Sequence, residues 1–74
     1  TATELRLLTE LASPPGHVHS RQELLAKVWD RDYFGDERIV DVHVRRLRTK
    51  VETDPAHPQL VTTVRGMGYR LDVR

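Results

Sequence analysis

The segment from Arg38 to Lys50 carries the side chains best suited to binding chemistry. It holds five basic residues against a single acidic one, Asp41. A local stripe of positive charge attracts polyanions, and nucleic-acid phosphates are one such partner. A solvated helix face is the alternative interpretation, and composition alone leaves both open. The basic residues are Arg38, Arg45, Arg46, Arg48 and Lys50.

Catalytic and metal chemistry find less support in the sequence. His17 and His19 could place two imidazoles on one side of a strand, but the chain has no Cys and shows no evident third ligand. Gly66 and Gly68 precede a strand, whereas a phosphate-binding loop must open a helix. We therefore predict no enzyme activity, no metal and no cofactor.

Length and charge restrict the class of protein. The 74 residues allow one small domain, and the net charge is only +1. Residues 1–37 sum to −3 and residues 38–74 to +4, so the positive charge is concentrated in the second half. No apolar run is long enough for a membrane span or a signal peptide, and we expect a cytoplasmic protein. The start at Thr1, without Met, predicts a fragment of a longer regulator.

Periodicity predicts a helix over residues 37–52 with two distinct faces. Val40, Val44, Leu47 and Val51 are spaced by four, three and four residues, which places them on one side of a helix. At about 100° per residue, the opposite side holds hydrogen-bonding types and one valine. The residues of that outer side are Arg38, Val42, Arg45, Arg46 and Thr49. A helix of this kind can pack on a core while it reads a DNA major groove.

Two shorter helices are predicted before it, each with a capping box. The first begins at Thr1, and we expect Leu5, Leu8, Leu11 and Ala12 to face the core. The second runs from about Arg21 to Val28 or Trp29, behind Ser20 as its N-cap. Asp36 is the expected N-cap of the third helix, and Asp41 the expected partner of Arg45 four residues later.

The last part of the chain predicts a β-hairpin over residues 60–73. Residues 60–64 are rich in β-branched types, residues 65–68 contain two glycines, and Tyr69, Leu71 and Val73 alternate with polar residues. Arg65 then lies at the tip. An arginine on a slender tip can enter the narrow, negative minor groove of DNA.

These stretches, in this order, resemble the winged-helix effector domain of OmpR/PhoB-type response regulators. The resemblance covers nearly the whole chain. Its most specific carriers are residues 38–48 (RIVDVHVRRLR) and residues 62–70 (TTVRGMGYR), with SRQELL at residues 20–25 and the pair Val28-Trp29 as further support. The implied fold is mostly α with a C-terminal hairpin: a winged helix-turn-helix of three helices plus a wing, without the N-terminal sheet of the family.

The resemblance also implies roles for individual residues and for partners. The third helix would be the recognition helix, and Arg65 would be the minor-groove residue. A loop before that helix would touch RNA polymerase, and Trp29 is also expected to anchor it in the core. Arg48 is expected to contact a phosphate or to pair within the protein. The implied DNA-contacting residues are Arg38, Val42, His43, Arg45, Arg46, Arg48, Thr63, Arg65 and Tyr69, and the outer face of the helix adds Thr49. The implied partner-loop residues are Trp29, Asp32, Tyr33 and Phe34.

The sequence thus predicts a sequence-specific binder of double-stranded DNA that acts in bacterial transcription. The family implies head-to-tail pairing on direct-repeat sites and a sensor kinase that acts on a separate receiver domain outside this chain. Two alternatives stay open: the DNA-binding domain of a non-phosphorylated activator, and a winged-helix module that binds an acidic protein partner.

Overall fold

A computed structural model describes residues 2–29 and 36–72 of the chain. Within these residues it contains helices α1 (Ala2–Leu11), α2 (Arg21–Val28) and α3 (Arg38–Val51), followed by strands β1 (Val61–Val64) and β2 (Gly68–Leu71). The predicted order of three helices and a hairpin is confirmed. None of the helices in the described ranges is long and apolar enough to cross a membrane. Thr1 and Val73, which the sequence placed in a cap and a strand, lie outside the described residues.

Helix α1 buries a different face from the predicted one. Its buried residues are Glu4, Leu7 and Leu11, whereas Leu5 is 65% exposed and Ala12 is exposed as well. Leu8 only packs against the edge of the core. The prediction from the spacing of the apolar residues was wrong because the inward face of α1 includes the carboxylate of Glu4.

That carboxylate, Glu4, is stabilised by an ion pair with Lys50 from the last turn of α3. The hydrogen bond from Lys50 holds the pKa of Glu4 below its ordinary value, so the buried side chain is charged and paired. A charge can occupy an inward position only when such a partner compensates its desolvation.

The predicted caps of α2 and α3 are met in part. Ser20 Oγ accepts the Glu23 backbone N–H at 3.0 Å, as a capping box requires. Glu23 does not complete the box, because its carboxylate bonds to the His19 ring instead. At α3 the cap position is Glu37, whose side chain makes no capping bond, and Asp36 Oδ1 accepts the Arg38 N–H at 2.9 Å.

Helix α3 packs its predicted apolar stripe into the centre of the molecule. Val40 and Val44 are completely buried and Leu47 nearly so, while Val51 is half-buried. They meet α1 through Leu7 and Leu11, α2 through Leu24 and Val28, and the hairpin through Val61 and Leu71. The recognition-type helix is therefore held along its whole inner face.

The hairpin is attached to the helices by a third extended segment. Strands β1 and β2 pair antiparallel with Val61 opposite Leu71 and Val64 opposite Gly68. On the other side of β2, the His19 N–H donates to the Tyr69 carbonyl at 2.8 Å, and the Tyr69 N–H donates to the His19 carbonyl at 2.9 Å. The loop before α2 thus anchors the hairpin.

Glu52 anchors the other end of the hairpin. Its carboxylate accepts backbone N–H groups from Gln59, Leu60 and Val61 at 2.7 to 3.0 Å. Burial is the largest effect and raises the pKa of Glu52, but the three backbone donors outweigh it and leave that pKa below its ordinary value. The loop between α3 and β1 is therefore held as a turn around one charge.

We predict that Gly68→Ala destabilises the protein by ~3 kcal/mol or more, because overpacking against backbone cannot relax through a side chain. A Cβ on Gly68 would lie 1.9 Å from the His19 carbonyl oxygen. Gly66→Ala is the matched control, since Gly66 also has positive φ (+77°) but open space around it. Backbone strain alone should cost that variant about 1 kcal/mol. Urea unfolding of both variants measures the difference, and equal losses would contradict the steric argument.

Candidate nucleic-acid interface

The outer face of α3 is exposed, as its periodicity predicts. Arg38, Arg45, Arg46 and Thr49 are exposed, and Val42 is 42% exposed although it is apolar. An apolar side chain on such a face can contact the methyl group of thymine. Five of the predicted contact residues therefore share one accessible surface.

Several of the predicted cations on this helix are already paired within the protein. Arg38 donates from Nε and Nη2 to Asp36 Oδ2 at 2.8 and 2.6 Å, and the same contact holds the pKa of Asp36 below its ordinary value. Lys50 pairs with Glu4 on the far side of the helix. In contrast, the guanidinium groups of Arg45 and Arg46 make no hydrogen bond or ion pair to any residue in the described ranges, although the Arg46 carbonyl accepts the Thr49 hydroxyl at 2.6 Å. They are the cations of α3 whose guanidinium groups have neither a carboxylate nor a neutral acceptor as partner among the described residues, so all their donors are available to a phosphate or a base.

Arg48 faces the hairpin and joins it to α3. Its Nε donates to the Val61 carbonyl at 2.9 Å, and its Nη2 donates to Thr63 Oγ1 at 2.8 Å. The guanidinium also lies 5.7 Å from the centre of the Tyr69 ring, within the range of a cation–π contact. Of the two expectations for Arg48, the intramolecular pairing is confirmed. Thr63 is exposed and uses its oxygen for this contact.

Tyr69 is a core residue, although its implied role was a contact on the wing surface. Its side chain is 8% exposed, and its hydroxyl donates to Asp41 on α3. Burial, followed by the Asp41 carboxylate, raises the pKa of Tyr69 to about 12. The alternating pattern of the strand predicts that Tyr69 faces inward with Leu71, whereas the resemblance implies an outward-facing contact residue. The structure agrees with the alternating pattern.

Asp41 does not pair with Arg45, which corrects the predicted partner. It accepts Arg21 Nη1 from α2 at 3.0 Å and the Tyr69 hydroxyl from β2. The contact to Asp41 raises the pKa of Arg21. Asp41 pairs with Arg21, which is 20 residues away in the sequence, and not with Arg45, which is four residues away. The reason is that Asp41 lies at the edge of α3 that faces α2 and the hairpin.

The hairpin presents Arg65 at a narrow tip. Residues 65–67 connect the strands, and the Met67 N–H closes the turn on the Val64 carbonyl at 2.9 Å. Gly66 supplies the positive φ that this turn needs. Arg65 is exposed and makes no hydrogen bond or ion pair to residues 2–29 or 36–72.

Comparison with known proteins places this arrangement in a family. The family model described as the C-terminal part of transcriptional regulatory proteins matches residues 1–71. The chain belongs to this family. The match covers nearly the whole chain, including the helices and the hairpin described above.

Individual relatives agree with this membership. The transcriptional regulatory protein AfsQ1 of Streptomyces coelicolor is 61% identical over 72 residues, which are 97% of this chain and 32% of the relative. The response regulator DrrB of Thermotoga maritima, an OmpR/PhoB homologue, has a TM-score of 0.90 at 32% identity, over 99% of this chain and 33% of that one. The chain spans about a third of the length of the curated relatives it matches.

A relative solved with DNA bears on the interface. The DNA-binding domain of Klebsiella pneumoniae RstA, crystallised with the RstA box, has a TM-score of 0.84 at 33% identity. The match covers 97% of this chain and 71% of that domain. The winged-helix fold predicted from the sequence is therefore confirmed.

The remaining implied residues of this winged-helix domain lie at the base of α3. His43 Nδ1 lies 2.9 Å from the Ile39 carbonyl, and its half-buried ring meets Trp29 edge to face at 5.1 Å. Trp29 packs against the core, which confirms its anchoring role. Asp32, Tyr33 and Phe34 of the predicted partner loop lie outside the described residues.

Sequence reasoning missed Arg21, which supports α3 through Asp41. Arg21 is the first residue of a helix and faces an acidic residue of the next one. The sequence gives little indication of this pair. An arginine at a helix start and an acidic residue on the next helix are common, and only the fold decides which arginine reaches the carboxylate.

We predict that Tyr69→Phe removes an alkaline loss of stability. The pKa of the folded Tyr69 is about 12, whereas an unfolded tyrosine has a pKa of about 10. Folded wild-type protein therefore binds more protons above that lower value, and its free energy of unfolding falls as pH rises toward the upper one. The variant should lack this fall.

At neutral pH the same variant should lose about 2 kcal/mol, since a hydrogen bond to a charged group disappears. Urea unfolding at neutral pH and at several alkaline values measures both effects. Tyr33→Phe is the control, because it removes the other tyrosine of the chain. Identical alkaline slopes for Tyr69→Phe and wild type would refute the assignment.

Proposed function

We propose that this chain binds double-stranded DNA sequence-specifically and acts in bacterial transcription regulation, as the effector domain of a response regulator. One observation carries the proposal: Arg45 and Arg46 on α3 and Arg65 on the hairpin are exposed and make no ion pair to a described residue. Family membership and the DNA complex of the related RstA domain support it.

In this proposal α3 enters the major groove. Its inner face is fully used by the core, so its outer face is the one available to DNA. Arg45 has the reach for guanine O6 and N7, and Val42 offers an apolar contact to thymine. Arg46 serves the backbone phosphates, which supply affinity through counterion release. Thr49 can donate to a phosphate once its hydroxyl leaves the Arg46 carbonyl, to which it donates at 2.6 Å.

The hairpin is proposed to place Arg65 in the adjacent minor groove. Backbone pairing with His19 and the Arg48 contacts to Val61 and Thr63 hold the hairpin against the helices. A rigid support lowers the ordering cost when a side chain is inserted. Minor grooves of A·T-rich sequence are narrow and strongly negative, which favours an arginine there.

The partners of the complete regulator follow from the family resemblance. We propose head-to-tail pairs on direct-repeat sites, control by a sensor kinase through a separate receiver domain, contact with RNA polymerase through the loop after Trp29, and a cytoplasmic location. The similarity to AfsQ1 and DrrB, of which this chain covers about a third, supports these proposals.

A first experiment tests base reading by Arg45 and Arg38. Each Arg→Ala variant should bind a selected DNA site about 1–3 kcal/mol more weakly and lose preference at one base position. Fluorescence anisotropy against the site and all its single-base variants, at one salt concentration, gives this profile. Arg6→Ala, on the exposed side of α1, is the matched control and should change nothing.

The outcomes of that experiment separate the alternatives. Uniform weakening over all sequences, with a salt slope lower by about 1, would reassign the residue to a phosphate. Arg38 has the Asp36 carboxylate as a competing partner, so Asp36→Asn, which keeps an acceptor for the Arg38 backbone N–H but removes the charge, should strengthen its contact. Binding of wild type that does not weaken with salt would favour the protein-interaction module instead.

A second experiment tests the minor-groove role of Arg65. Arg65→Ala should weaken binding most where an A·T-rich step lies under the hairpin, and little where a G·C-rich step replaces it. Arg65→Lys should recover only part of the loss, since ammonium is more strongly hydrated than guanidinium. A double-mutant cycle between residue 65 and the flanking base pairs measures the coupling.

Arg70→Ala serves as the matched control for this cycle. Arg70 lies on the same hairpin, but its guanidinium is paired with Asp72 at 2.7 Å. It should show no coupling to the flank. A coupling energy of zero for Arg65 as well would place Arg65 on a phosphate and overturn the minor-groove proposal.

A further inference from the structure

The loop before α2 brings together three side chains that the DNA-binding proposal does not use. His19 Nδ1 lies 2.6 Å from Glu23 Oε2, and His17 Nε2 lies 3.8 Å from the same oxygen. One nitrogen or oxygen of each residue lies within 4.8 Å of those of the other two. Two imidazoles and a carboxylate therefore converge on one point.

His19 is buried in a way that packing does not explain. Its side chain is 1% exposed, and its Nε2 is buried without a hydrogen-bond partner in the described residues. A buried polar nitrogen without a partner costs free energy that an apolar side chain would avoid. Packing alone therefore does not favour an imidazole at this position, and the nitrogen that it presents to the cluster is Nδ1, on the side of Glu23.

The three residues differ in how firmly they are held. His19 is fixed through both of its backbone bonds to Tyr69. Glu23 is half-buried on the first turn of α2, where Ser20 caps its N–H. The His17 ring is exposed and stands edge to face against that of His19, with centres 4.6 Å apart. An ion can thus approach from the side of His17 and meet a ligand that is already in place.

We propose that His17, His19 and Glu23 bind a divalent transition-metal ion of the zinc type. Two histidines and one glutamate form a known zinc ligand set, and a water completes the tetrahedron. Metal–ligand bonds of about 2.0–2.2 Å place the ligand atoms about 3.3 Å apart. The observed separations of 2.6 and 3.8 Å lie on either side of that value, so small side-chain adjustments suffice.

Among the described residues, Lys27 is the cation that faces this group of His17, His19 and Glu23, and it has a second carboxylate partner in Glu10. Lys27 Nζ lies 3.8 Å from Glu23 Oε2 and 3.5 Å from Glu10 Oε1. When a metal ion takes the Glu23 carboxylate, Lys27 retains the Glu10 carboxylate of α1. Mg²⁺ and Ca²⁺ prefer oxygen ligands, so the two imidazoles select against them.

The test is a calorimetric titration of the full chain with Zn²⁺, with Mg²⁺ in parallel. We expect one saturable Zn²⁺ site and no Mg²⁺ binding there. His17→Ala and Glu23→Gln should each weaken Zn²⁺ binding by more than about tenfold, the scale on which metal sites respond to lost support. Circular dichroism verifies that both variants are folded.

His57→Ala is the matched control. His57 Nδ1 lies 2.9 Å from Asp54 Oδ2, so it forms a histidine–carboxylate pair without a third ligand in the described residues. Its removal should leave Zn²⁺ affinity unchanged. Unchanged affinity in His17→Ala or Glu23→Gln, no saturable site, or an equal loss in His57→Ala would overturn the proposal.

Imidazole ¹⁵N NMR of the unmodified chain gives a second readout that requires no substitution. Zn²⁺ should shift the ring nitrogens of His17 and His19 and leave those of His43 and His57 in place. Shifts confined to the latter two would contradict the site. DNA binding is not a readout here, so failure of the metal site and failure of the proposed function are distinguishable.

Discussion

Three elements of the domain meet at the Asp41 carboxylate. Arg21 reaches it from α2 and the Tyr69 hydroxyl reaches it from β2, while Asp41 itself belongs to α3. Both donors stabilise this half-buried carboxylate, because a partly buried charge without partners is costly. The angle of α3 relative to the hairpin therefore depends on this junction, and the surface of the domain that faces DNA in our proposal is set by it.

Charge pairing, more than charge content, defines the surface that we assign to DNA. The stripe from Arg38 to Lys50 looks uniformly basic in sequence. In the structure Asp36 pairs with Arg38 and Glu4 pairs with Lys50. Arg48 keeps its charge but uses its donors on the neutral Val61 carbonyl and Thr63 hydroxyl. An intramolecular partner competes with a phosphate for the same guanidinium. The arginines of α3 with free donors, Arg45 and Arg46, therefore lie in the middle of the helix near Val42, on the face that we propose reads the major groove.

Much of this fold could be predicted, since it rests on local signals. The two faces of α3 follow from spacing, and the Ser20 cap and the hairpin follow from residue type. The inward face of α1 could not be predicted, because Lys50, 46 residues away, makes Glu4 a buried residue. Asp41 shows the same limit at the candidate site: its neighbour Arg45 obeys the local rule, yet tertiary packing supplies Arg21 instead.

Several contacts join helix α3 and the hairpin into one unit. Arg48 bonds the start of β1 to α3, Tyr69 bonds β2 to the same helix, and His19 pairs with Tyr69 along the backbone. Because folding already fixes the separation between α3 and the hairpin, binding does not have to pay the entropy cost of ordering them relative to each other. A groove contact by one then constrains where the other can lie along the duplex. In our proposal, specificity comes from the spacing between α3 and Arg65 as well as from either contact alone.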